Sequence, residues 1–65
     1  MNDLSFKDRL LSEKKHLDEK IEKLSQFIES AKFDVIEERQ RILLRIQFRV
    51  MTTYSEILYE RISIL

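Results

Sequence analysis

No glycine and no proline occurs anywhere in the 65 residues. Tight hairpin turns, phosphate-cradling loops and sharp strand corners depend on those two residues, because glycine enters left-handed backbone without steric cost and proline presets turn geometry. β-rich architectures are therefore disfavoured. Charged residues make up 37% of the chain and Leu, Ile, Glu, Lys and Arg are abundant, which is the composition of long helices. An all-α fold is expected. A single domain of this length buries little apolar surface and usually needs a disulfide, a metal or another copy of itself. The chain has no cysteine and one histidine, His16, so neither a disulfide nor a zinc site is available. Self-association remains. No run approaches the ~20 apolar residues of a membrane span, and the first residues lack a signal-peptide pattern, so a soluble intracellular protein is expected.

Apolar periodicity divides the single domain, residues 1–65, into two helical arms. Leu10, Leu17, Ile21, Leu24 and Ile28 form a heptad seam interrupted at Lys14. Ser5, with Asp8 three residues on, reads as a weakened capping box, so the first helix is expected over about residues 5–30. A short turn at 31–33 follows, and Asp34 with Glu37 repeats the cap signature for a second helix over about 34–64. The arms make an antiparallel two-helix hairpin, each roughly 40 Å long. The second arm carries two apolar stripes. Leu44, Phe48, Met51, Ser55, Leu58, Ile62 and Leu65 form one; Leu43, Gln47, Val50, Tyr54, Ile57, Arg61 and Ile64 form the other. A two-helix hairpin covers only one of them, so the second is expected to face other copies in a homo-oligomeric helical bundle.

Between Arg39 and Ser55 the chain holds Arg39, Arg41, Arg45 and Arg49 and no acidic residue. Arg41, Arg45 and Arg49 recur every fourth residue and so stack on one helical face, with Thr52 and Thr53 one turn beyond. Guanidinium forks match phosphate oxygens bidentately, which makes Arg45, Arg49, Thr52 and Thr53 candidates for anion binding. The alternative is a solvated face, or one paired with Glu13, Asp18, Glu19 and Glu22 of the first arm. Gln47, Tyr54 and Arg61 interrupt the spare stripe and need polar partners if buried, in a subunit interface or a ligand. Antiparallel folding brings Arg9 towards Tyr54 and Arg61 at the open end, where an aromatic face and guanidinium groups suit a nucleotide base and its phosphate.

Catalysis finds no support. His16 lacks a second imidazole or nearby nucleophile, the serines fall at caps, surfaces and seams, and Glu37 with Glu38 fits a helix N-terminus. A binding protein without cofactor or catalytic metal is expected. Two classes remain: a small-ligand binder at subunit junctions, or a coiled-coil interaction module or nucleic-acid-contacting adapter. Zero net charge disfavours nucleic acid as a partner but not a small enclosed anion.

The segments Arg9-Leu10, Glu13, Leu17, KLSQFIES over 23–30, Phe33, Leu43-Leu44, Gln47 and MTTYSEILYERI over 51–62 resemble a small phage helical-hairpin family. It includes an anti-CBASS cyclic-nucleotide sponge and the hairpin part of an anti-Thoeris sponge. The resemblance implies a phage protein in the cytoplasm of an infected bacterial host, forming compact multimers, often hexamers. Such a protein binds cyclic di- or trinucleotide immune signals without cleaving them, in pockets at protomer junctions. Tyr54 and Arg61 in the spare stripe sit where such a junction would form.

Overall fold

A computed structural model describes residues 3–65, and side chains from Ser5 onward; the first two residues of the expected domain lie outside the described residues. Three helices follow one another: α1 Asp3–Ile28, α2 Ala31–Asp34 and α3 Glu38–Ser63. The long helices have 26 residues each and pack antiparallel, giving a rod of 49 × 15 × 14 Å. At 1.5 Å per residue, each arm is about 39 Å long. The all-α hairpin expected from the sequence is therefore present. Among the described residues, no helix is long and apolar enough to cross a membrane.

Both expected helix starts require correction. Ser5 lies inside α1, which begins at Asp3, so Ser5 and Asp8 are not its capping box. Asp34 ends α2 instead of opening the second arm, and Glu37 occupies the N-cap position of α3 without a side-chain cap bond. The expected turn at 31–33 is itself a single helical turn, and the whole connection runs from residue 29 to 37. The missing glycines explain this length. No described residue has positive φ, so α1 does not end in the left-handed cap that glycine usually supplies. Instead Ser30 (φ −90°, ψ 160°) and Glu37 (φ −54°, ψ 140°) are extended on either side of α2.

Side chains hold this connection in place. Ser30 Oγ donates to the Phe27 carbonyl at 2.7 Å, and Arg41 Nη1 reaches back to the carbonyls of Ile36 (2.7 Å) and Asp34 (3.2 Å). The Arg41 bonds give partners to carbonyls of the connection, and the Ser30 hydroxyl reinforces a Phe27 carbonyl that also accepts the Ser30 backbone N–H at 3.0 Å. Phe33 is 1% exposed and meets Phe27 edge-to-face, with ring centroids 5.9 Å apart. The α2 turn is thus anchored by an aromatic plug.

Along the rod, Leu10, Leu17 and Leu58 form the buried centre, with Ile21, Met51 and Ile62 packed against it. Each leucine contributes about 1.5–3 kcal/mol through apolar burial. Lys14 and Ser55 are the polar interruptions of the two facing seams, and they meet. Lys14 Nζ donates to Ser55 Oγ at 3.0 Å and to Asp18 at 2.8 Å, while Ser55 Oγ donates to the other Asp18 oxygen at 2.5 Å. Each polar break in one helix is answered by the other. Hydrogen bonds from Lys14 and Ser55 hold the Asp18 carboxyl below its usual range, outweighing the opposing effect of burial.

Candidate functional site

The packed side of α3 leaves a broad second face open. Ile42, Leu43, Ile46, Val50, Ile57 and Ile64 are all 47–82% exposed, with Val50 at 61% and Ile64 at 82%. Gln47, Tyr54 and Arg61, which interrupt that stripe, are exposed as well. Tyr54 does have a partner, since its hydroxyl donates to the Glu13 carboxylate of α1. Gln47 Nε2 points to Met51 Sδ at 3.8 Å. No cost of unpaired burial therefore arises within the protomer.

The three stacked arginines have different surroundings, and one leaves the anion row. Arg41 is committed to the carbonyls of the connection. Arg45 places its guanidinium carbon 4.9 Å from the centroid of the Phe33 ring, a cation–π contact on a buried aromatic. Arg49 carries no ion pair. Among the described residues the only ion pair is Lys14–Asp18, so the acids of α1 do not neutralise the arginine row. Glu13 instead accepts from Tyr54, Asp18 from Lys14 and Ser55, and Glu22 from Gln26.

Two adjoining hollows share Arg49. A groove of about 300 Å³ near the connection is lined by Ser25, Ile28, Glu29, Arg45, Phe48 and Arg49, and so spans both long helices. A shallower hollow of about 330 Å³ lies on α3, between Arg49, Val50, Thr53, Tyr54 and Ile57. Thr53 and Ile57 also border a third, of about 340 Å³, which includes Arg61. Arg45, Arg49, Thr53, Tyr54 and Arg61 are thereby strung along one continuous surface. Thr52 is half-buried, and its hydroxyl donates to the Phe48 carbonyl at 2.9 Å, leaving only acceptor capacity for a ligand. Arg9 is exposed on α1, one helical turn before the Glu13 that binds Tyr54. Ser25, Ile28, Glu29 and Phe48 are the members of this surface that the arginine spacing did not reveal.

These features define a class: a small all-α hairpin whose guanidinium groups and hydroxyls border an open apolar face on one helix. The chain belongs to the Sequestin family, whose model matches residues 4–64. Membership implies a phage nucleotide-sequestering protein, a sponge without a catalytic role. The resemblance carried by the sequence motifs holds at that level. No curated protein and no solved structure matches the chain significantly.

Proposed function

We propose that this protein is a homo-oligomeric sponge that sequesters a cyclic di- or trinucleotide immune signal without cleaving it. The observation that carries the reading is the open face of α3, where exposed aliphatic residues run beside arginines that form no ion pair among the described residues. Apolar area and free guanidinium groups are what a closed assembly and a phosphorylated ligand respectively require.

The exposed surface is 5370 Å², whereas a compact monomer of this mass exposes about 4,400 Å². The excess favours association through α3, with Val50 and Ile57 near the middle of the contact. Hexamers fit the reading. Arg49, Thr53, Tyr54 and Arg61 then border each junction, and Arg45 extends the cationic surface towards the connection. Arg9 joins from α1 beside Glu13, and Thr52 offers its hydroxyl oxygen. The guanidinium groups hold phosphates and Tyr54 offers its ring to a base. Holding the signal in a site with a slow exit keeps it from an effector, so binding alone is the mechanism.

Calorimetry against cyclic di- and trinucleotides, with light scattering for mass, tests this reading. A fixed ligand stoichiometry per oligomer and weak salt dependence are expected. Affinity that instead grows with nucleic-acid length and falls steeply with salt, with no binding of any cyclic nucleotide, replaces the sponge with a nucleic-acid-contacting adapter.

A further inference from the structure

Resting on that sponge reading, we infer that the groove near the connection is a one-nucleotide subsite, and that Glu29 gives it a preference for guanine. Its volume of about 300 Å³ lies at the small end of ligand pockets, a size for one nucleotide unit of a larger cyclic ligand. Its lining offers three chemistries in one place. Arg45 and Arg49 supply forked donors for a phosphate, Phe48 an aromatic surface for a base, and Glu29 a carboxylate at the rim. Ser25 adds a hydroxyl.

Arg45 is positioned before any ligand arrives. Its guanidinium lies over Phe33, which is 1% exposed and braced by Phe27, so one arginine of the pair is held by the aromatic plug. Preorganisation of this kind lowers the ordering cost of binding. Glu29 is close enough to line the same groove yet forms no ion pair with either arginine among the described residues. Its oxygens accept hydrogen bonds only. The Watson–Crick edge of guanine presents two adjacent donors, the ring N–H and the exocyclic amino group, and so pairs with a carboxylate through two parallel bonds. Adenine presents one amino donor beside an acceptor nitrogen, whose lone pair opposes the carboxylate. One residue thus discriminates between the purines.

The test measures affinities of cyclic di-GMP and cyclic di-AMP for the full-length protein and for Glu29→Gln and Arg45→Lys. Glu29 is exposed, so the Gln variant is expected to keep its helix content, oligomer mass and thermal midpoint. The wild-type protein should prefer the guanine ligand, and Glu29→Gln should lower that preference about ten-fold. Arg45→Lys should weaken both ligands to a similar degree, because it removes a phosphate fork and leaves the base edge alone. Equal affinities in the wild type, or an unchanged preference in Glu29→Gln, overturn the guanine subsite while leaving the sponge intact. Failure of both ligands and of cyclic triadenylate to bind overturns the sponge reading and the subsite together.

Discussion

The four arginines between Arg39 and Ser55 illustrate how little a side chain's identity says about its task until its neighbours are known. Their spacing was legible in the sequence, and so was the acid-free interval around them. What spacing did not reveal is that Arg41 closes the connection, since that requires knowing where the carbonyls of Asp34 and Ile36 end up. Arg41→Ala should therefore lower unfolding stability by about 1–3 kcal/mol, measured by urea denaturation, while nucleotide affinity changes little. Arg49 has the opposite profile. Arg49→Ala should cost roughly 1.5–3 kcal/mol of ligand affinity with stability almost unchanged, and an inverted outcome for the pair would refute this division of labour. Asp18 adds a dependence on pH. Its folded pKa lies below the unfolded value, so its stabilising contribution is fully present above the ordinary carboxylate range and is lost as pH falls through the folded value. Thermal midpoints should drop on acidification below the ordinary carboxylate range, and Asp18→Asn should flatten part of that decline. With the side chain 47% exposed, solvent screening keeps the effect small.

At the level of elements, the heptad seam of α1 and the first stripe of α3 were both readable because helical periodicity survives any choice of partner. Leu10, Leu17 and Leu58 occupy the buried centre as that pattern requires. The connection was not readable. A single-turn helix has too few residues to show periodicity, and the Asp34 and Glu37 cap signature marked acids that lie in α2 and at the N-cap position of α3. An error of a few residues in the connection shifts which residues of α1 and α3 oppose each other. For that reason Ser25 and Glu29 were invisible as neighbours of Arg45 and Arg49. The same dependence hid the meeting of Lys14 with Ser55, although Lys14 stood out as the break in the first seam and Ser55 is a polar member of the first stripe of α3. Leu58→Ala should cost about 2–5 kcal/mol, since the leucine is fully buried and a rod of two helices closes poorly over the cavity; calorimetric unfolding at fixed protein concentration measures it.

As a whole molecule, the hairpin is a rod only 14–15 Å across, whose two long helices leave the outer face of α3 open among the described residues. The second apolar stripe, legible in the sequence, remains uncovered at Val50, Ile57 and Ile64. The number of copies in the proposed bundle depends on angles between protomers, which the sequence pattern does not encode. Placing a charge in the centre of the stripe probes the contact. Val50→Lys should convert the oligomer to a weakly stable monomer and abolish nucleotide binding with it, because a buried lysine without a partner is strongly unfavourable. The most direct measurement of the sponge account is multi-angle light scattering of purified protein with and without a cyclic di- or trinucleotide, followed by heat denaturation and chromatography of the released nucleotide. The account predicts one multimeric mass, a fixed number of nucleotides per multimer and recovery of the ligand chemically intact. A folded monomer that retains no cyclic nucleotide, or release of a linearised product, would contradict it.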